Sequence, residues 1–284
     1  MKTPICFCNG VIRSGSTWSF NVCRGLLQEV SVQRKQPFGS AYLDAPVLEQ
    51  FLTQHLPSIP GPTVIKAHMI GPAAMMALKT GQARAVCTFR DPRDCVASDV
   101  VFMGRGLEYS INRTANSLEF VRLYQSTPNI MLVKYEEMMT NRIGQIRRIA
   151  EHLEVSADEA LIQRVDLNTN IESSKKVCGG LKNRPADQVL NIASHRVDPV
   201  THLHEHHIGS AKMGRWRDDF SPAQGRWLTE YFSPWLLQLG YETQQSLRDI
   251  LARPAPNEMP MTVPASTGPV MPLAGQSLLQ RAEV

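Results

Sequence analysis

The segment Gly10-Val11-Ile12-Arg13-Ser14-Gly15-Ser16-Thr17 constrains this chain most, because it joins an apolar run to a helical pattern through a short loop with a GxxxxG frame. Residues 5–12 read as a buried strand, 13–17 as a tight polar loop, and 18–30 as a helix in which Phe20, Val22, Cys23, Leu26 and Leu27 recur at helical spacing. Such a loop suits an anion. Glycine lets the backbone approach it, successive N–H groups and the helix N-terminus supply positive potential, and Ser14, Ser16 and Thr17 offer hydroxyls. Ser16 stands where the phosphate-loop lysine of an ATP- or GTP-using enzyme belongs, which argues against a kinase, while Arg13 can bring charge from the loop's start. An ordinary strand-to-helix turn uses the same Gly and Ser residues, so the loop alone leaves both readings open.

Further strands are predicted over 63–67, 83–90 and 129–135, with helices over 92–101, 112–125, 141–153 and 157–165. Strands alternating with helices predict an α/β fold with a central parallel sheet flanked by helices. Residues 168–199 lose periodicity and read as a loop-rich, mobile stretch. Ser221-Pro222 opens a last helix, which Pro234 breaks, and the core is expected to end near Leu251. Beyond it Pro254, Pro256, Pro260, Pro264, Pro269 and Pro272 recur without period, so 1–251 reads as one catalytic domain and 252–284 as a Pro-rich disordered tail.

With 284 residues, 43% of them hydrophobic, the chain can bury a single large core. Its net charge of +4 forms no Lys/Arg block of the sort that tracks nucleic acid, so the expected partner is a small polyanion and not a nucleic acid. The N-terminus runs straight into the first strand without a signal-peptide pattern, and the apolar stretch 64–78 is interrupted by Lys66 and His68. A protein without membrane span, in the cytoplasm, is the expectation. Cys6, Cys8, Cys23, Cys87, Cys95 and Cys178 include no CxxC pair and read as free, mostly buried thiols. Zinc held by Cys6 and Cys8 would need two more ligands from distant parts of the chain.

A second segment, Thr88 to Ser98, ends a strand with Arg90 and opens a helix at Pro92, which brings Arg90 and Ser98 toward one anion; pairing of Arg90 with Asp91 or Asp94 is the plainer alternative. Arg13 to Trp18 resembles the 5′-phosphosulfate loop of the sulfotransferases that use 3′-phosphoadenosine 5′-phosphosulfate (PAPS), and Arg90 to Ser98 resembles their 3′-phosphate motif, Arg-x-Pro-Lys/Arg-Asp-x-x-x-Ser. Ile65-Lys66-Ala67-His68 is similar to the family's Lys-Ser/Thr-His segment, Tyr135-Glu136-Glu137 to its Tyr-Glu-Asp/Glu strand end, and Met213 to Arg217 to its late Gly-x-Trp-Lys/Arg segment.

The resemblance implies the P-loop NTPase-like sulfotransferase fold, with PAPS as donor, 3′-phosphoadenosine 5′-phosphate (PAP) as product, and no metal. It further implies Arg13, Ser14, Gly15, Ser16, Thr17 and Trp18 on the donor's 5′ side, Arg90 and Ser98 on the 3′-phosphate, Tyr135 nearby, Lys66 at the sulfuryl group and His68 as base. The acceptor expected is a hydroxyl or amine of a small molecule, lipid or glycan. This chain departs from the family at Gly209-Ser210-Ala211-Lys212, where an Arg-Lys-Gly is usual and Lys212 is the only basic residue. It also lacks the dimer motif Lys-x-x-x-Thr-Val-x-x-x-Glu, having Ser221, Pro222 and Arg226 across 217–226, so oligomeric state does not carry over. Two other classes are a phosphate-loop kinase, disfavoured by Ser16, and a noncatalytic nucleotide-binding scaffold, disfavoured by the joint presence of Arg13, Lys66 and His68. His202, His204, His206 and His207 would share a face in part if strand-like, and read as a polar lip or an acceptor contact sooner than a metal site. Phe38, Tyr42, Phe102, Met103 and Tyr109 are candidate acceptor-pocket residues.

Overall fold

In the computed structural model, residues 5–192, 195–206, 208, 209 and 211–252 are described. β1 (Ile5–Gly10) is buried on both faces, which is why its sequence runs apolar without alternation. The chain continues through α1 (Ser16–Arg34), β2 (Gly39–Tyr42), α2 (Ala45–His55), β3 (Thr63–Lys66), α3 (Pro72–Lys79), β4 (Arg84–Phe89), α4 (Pro92–Met103), α5 (Leu107–Gln125) and β5 (Ile130–Lys134). Then come α6 (Tyr135–Thr140), α7 (Arg142–His152), α8 (Glu159–Thr169), α9 (Ile171–Gly180), β6 (Leu190–Ile192) and β7 (His195–Val197). Four helices follow: α10 (Trp216–Asp219), α11 (Pro222–Tyr231), α12 (Ser233–Gln238) and α13 (Gln244–Ala252).

Five strands pair in parallel in the order β2-β3-β1-β4-β5, the parallel sheet expected from the alternation of elements. Side chains alternate between two cores. Ile5, Phe7, Ile65, Ala85 and Cys87 pack on one face against residues of α2 to α5, α11 and α12, while Cys6, Cys8, Val64, Val86 and Val133 pack on the other against α1, α7 and α8. From β1 the chain turns toward β2, and from β4 it turns the opposite way toward β5. Parallel sheets open a ligand crevice beside such a reversal, at the carboxyl ends of their strands.

β1 stops at Gly10 and α1 begins at Ser16, so the connecting loop lies two residues earlier than the expected 13–17 and has the same length. The stretch 168–199, expected to be loop, contains α9 and the antiparallel β6–β7 hairpin. Only Cys178 of α9 is buried, so the helix has no apolar stripe to read; it starts instead at a polar cap, where the Asn170 side chain accepts from the Ser173 N–H. β2, whose sequence is Gly-Ser-Ala-Tyr, owes its strand form to pairing with β3 at the sheet edge.

The helix expected at Ser221-Pro222 is α11, fixed by a reciprocal capping box between Ser221 and Gln224, with Pro234 in the first turn of α12. Cys23 brings a third sulfur near Cys6 and Cys8, all three within 4.8 Å of one another and buried, a convergence that sequence distance hid. Burial pushes the Cys8 and Cys23 thiols up, while hydrogen bonding to those two sulfurs lowers that of Cys6. The 253–284 part of the tail lies outside the described residues. Among those residues, no helix is long and apolar enough to cross a membrane.

Candidate active site

Gly10 must be glycine because a Cβ there would come within 2.8 Å of the Thr88 carbonyl oxygen on β4. Gly15 caps α1 with φ +91°, a left-handed backbone that other residues resist. Between them Arg13 also takes a positive φ, and its guanidinium lies 4.1 Å over the Phe102 ring with Nε donating to Ser98 Oγ at 3.1 Å. Among the described residues the Gly15, Ser16 and Thr17 N–H groups make no hydrogen bond, and no side chain caps α1. Those donors and the helix dipole face an anion site. Ser14 does not join them: it is fully buried, and its hydroxyl bonds to the Val11 and Thr88 carbonyls at 2.6 and 3.0 Å. Its work is to fasten the loop to β4.

The neighbouring strand ends bring the remaining groups. Asn9 Nδ2 donates to the Ala67 carbonyl at 2.9 Å, holding the turn after β3 against β1. Lys66 is buried there, with Nζ donating to Thr17 Oγ1 at 2.5 Å. Burial, with Arg13 nearby, lowers its ammonium to about 8. Arg13 itself falls to about 10 through burial, against the pull of Asp99. His68 lines the cavity with an exposed side chain, yet the protein packed around it and the charges of Lys66 and Arg113 lower its imidazole to about 4.

At the head of α4, Arg90 donates to Asp94 at 3.0 Å and to the Lys212 carbonyl at 2.7 Å, with its guanidinium 4.2 Å over the Tyr135 ring. The plainer pairing with Asp94 is therefore real, yet Arg90 Nε remains buried without a hydrogen-bond partner among the described residues. Lys212 is exposed and pairs its side chain with Asp218.

One cavity of about 240 Å³ collects Arg13, Gly15, Ser16, Thr17, Trp18, Lys66, His68, Arg90, Ser98, Tyr135 and Lys212. Seven Arg and Lys side chains line it, and Asp99 is its single carboxylate among the lining residues. That balance, the unpartnered amides and the orphaned Arg90 Nε fit a nucleotide carrying several negative charges.

Of the acceptor-pocket candidates only Phe102 lines this cavity; the Tyr42 ring meets His68 edge to face with centroids 5.8 Å apart, and Phe38, Met103 and Tyr109 are not among the lining residues. Among the described residues, His202, His204 and His206 lie outside the named strands. His204 lines the cavity beside Phe102, His202 packs on Phe20, and His207 lies outside the described residues. The loop carrying His204 is held by Asn21 Nδ2, which donates to the Thr201 carbonyl at 2.9 Å. Sequence reading missed Arg113 and Asp99, whose meeting across α4 and α5 no linear motif announces.

A parallel sheet whose strand ends converge a glycine loop, a helix N-terminus and a set of cations defines a protein that handles a phosphorylated nucleotide. The family described as sulfotransferase domain matches residues 6–240, and the chain belongs to that family, a PAPS-dependent sulfotransferase by class. No curated protein matches it. Among solved structures it resembles a retinol dehydratase in complex with retinol and PAP, at 18% identity and TM-score 0.59, over 86% of this chain and 83% of that one. The same enzyme with androsterone and PAP matches at 16% identity and TM-score 0.56, over 86% and 82% of the two chains. Mouse sulfotransferase SULT7A1 with PAP matches at 14% identity and TM-score 0.53, over 89% and 90%. These likenesses support the sulfotransferase fold.

Proposed function

We propose that residues 1–251 form one catalytic domain that transfers the sulfuryl group of PAPS to a hydroxyl of a small-molecule, lipid or glycan acceptor, in the cytoplasm, with His68 as general base. When bound, PAPS supplies the sulfuryl group and a phosphate leaving group. Gly15, Ser16 and Thr17 hold the 5′ side through amides and hydroxyls, Trp18 packs on the adenine, and Arg90 and Ser98 hold the 3′-phosphate with Lys212 at the rim. Arg13 and Lys66 stabilise charge that grows toward the leaving phosphate. His68, uncharged over the neutral range, takes the acceptor's proton at a ring nitrogen. A sulfuryl group carries less negative charge than a phosphoryl group, so two cations suffice where kinases bridge phosphates with magnesium.

The observation that carries this reading is the convergence of Arg13, Lys66, His68, Arg90 and Ser98 on one cavity from three strand ends and one helix. A scaffold that only bound nucleotide would have no use for an imidazole beside the cations. Calorimetry comparing PAP with AMP is the test, since AMP lacks the group assigned to Arg90 and Ser98. PAP is expected to bind more tightly, and Arg90→Ala to remove that difference at about 1.5 to 3 kcal/mol. Equal affinities for the two nucleotides in the unaltered protein would overturn the assignment.

A further inference from the structure

Arg13, Lys66, Arg90 and Lys212 are taken up by the donor in the reading above, and three further cations line the same cavity. Arg142 sets its Nε and Nη2 on Asp166, and Arg215 sets the same edge on Asp219. Those two guanidiniums have used the side that grips a carboxylate as a fork. Arg113 has not. Its Nη1 alone holds both oxygens of Asp99, at 2.8 and 3.0 Å, and among the described residues its Nε and Nη2 make no hydrogen bond.

The surroundings fix this arrangement. The Asp99 side chain is fully buried while that of Arg113 is 32% exposed, so the carboxylate is an anchor and the guanidinium reaches outward from it. The Tyr109 ring lies 5.6 Å from the guanidinium carbon and restrains it from α5 itself. Arg113 and His68 line the same cavity. Phe102, Leu203 and His204 add flat or apolar wall to that cavity, with the Phe102 and His204 ring centroids 5.3 Å apart.

We propose that the free Nε–Nη2 edge of Arg113 binds a carboxylate on the acceptor, so that the preferred substrates of this enzyme are hydroxyl compounds carrying an acidic group. Arg presents two parallel N–H donors on that edge, and a carboxylate matches them bidentately, which neither a neutral alcohol nor a lysine reproduces. A site built around such a donor pair discriminates against the analogue lacking its partner, because the donors are then left unpaired. The inference rests on the assignment of His68 to the acceptor's hydroxyl, and it adds what the rest of the acceptor must carry.

Initial rates with labelled PAPS test it on 4-(hydroxymethyl)benzoate and 4-(hydroxymethyl)benzamide, which offer the same hydroxyl on the same ring with and without the charge. The enzyme is expected to favour the acid by about 10-fold or more in kcat/KM. Arg113→Gln should erase that preference, raising KM for the acid far more than for the amide. Arg113→Lys keeps a charge beside Asp99 but not the fork, and should retain only part of the preference; it also provides a folded comparison if the glutamine variant is unstable. Equal rates with acid and amide, transfer to neither, or an undiminished preference in both variants would each overturn the proposal. Calorimetry with PAP on the same preparations keeps the two readings apart: failure to bind PAP would sink the donor site, whereas tight PAP binding without acid preference would sink only the role of Arg113.

Discussion

Lys66 ends β3 and His68 follows two residues on, and loss of solvation, with neighbouring positive charge, acts on both in a useful sense. It lowers the ammonium to about 8 and the imidazole to about 4, so from roughly pH 4 to 8 the free enzyme holds a charged Lys66 beside a neutral His68. A neutral imidazole is lost as pH falls through its pKa, and a charged ammonium as pH rises through its own. The profile of kcat/KM for PAPS, which reports the free enzyme, is therefore expected to be bell-shaped with limbs near those two values. The negative charges of bound donor favour both protonated forms, so the acid limb of kcat should lie at higher pH than that of kcat/KM. Steady-state rates on an unactivated alcohol measure both. His68→Ala should lower kcat by roughly 10²- to 10⁴-fold and leave PAP affinity nearly unchanged. Near-normal turnover in that variant, with the acid limb intact, would move the base elsewhere, and His204 on the same wall would be the next residue to alter.

At the scale of elements, the 3′ side of the site depends on how the late segment is fastened to α4. Asp94, fully buried in the first turn of that helix, accepts from Arg90 at 3.0 Å, from the Gly214 N–H at 2.7 Å and from the Trp216 N–H at 3.1 Å. One carboxylate thus ties the end of β4 to the segment that bears Lys212. Removing it strands a buried guanidinium, so Asp94→Ala should cost about 3 to 5 kcal/mol in chemical denaturation and weaken PAP more than AMP. Equal weakening of both nucleotides would mean that the segment contributes nothing specific to the 3′-phosphate. The reach of the sequence is also clearest here. Arg90, Lys66 and His68 were legible as neighbours because each stands at or just past a strand end whose apolar run is unmistakable, and strand ends in a parallel sheet share one edge, while Ser98 lies two turns along the helix that Pro92 opens. Ser14 was misjudged because a hydroxyl in a polar loop does not reveal which way it turns, and here it turns to Thr88. Arg113 and Asp99 were invisible because they meet only when α4 packs on α5, and α9 because a half-exposed helix leaves no apolar stripe. Long-range packing, which spacing does not encode, decided each of these.

At the scale of the whole molecule, the cavity's charge is a load on the fold until an anion arrives. Among the described residues Lys66 is buried without a carboxylate partner and its ammonium donates one hydrogen bond, to Thr17, and its folded pKa of about 8 lies below the ordinary 10.5. The sign of the linkage follows. A lysine whose pKa is lowered on folding binds protons less readily in the folded state, so its charged form destabilises the fold at neutral pH, and the penalty lifts as pH rises from about 8 toward 10.5. His68, His202 and His204, lowered to about 4, 4 and 3, add a penalty of the same sign as pH falls below 6.5. Replacing the cation with an apolar side chain of similar length should therefore help the empty protein and harm the enzyme. Lys66→Met is expected to raise stability without nucleotide by about 0.5 to 2 kcal/mol at pH 7, in the manner of other substitutions that relieve a functional site. It should also shrink the stabilisation that PAP confers, which for a ligand at 100 times its Kd is about 2.7 kcal/mol. Thermal melts of both proteins with and without PAP, repeated at pH 9.5, read all three effects, since the advantage of the variant should narrow at the higher pH where wild-type Lys66 is already neutral. A Lys66→Met protein that is less stable than the wild type at pH 7, yet gains as much from PAP, would show that Lys66 serves the fold and not the anion.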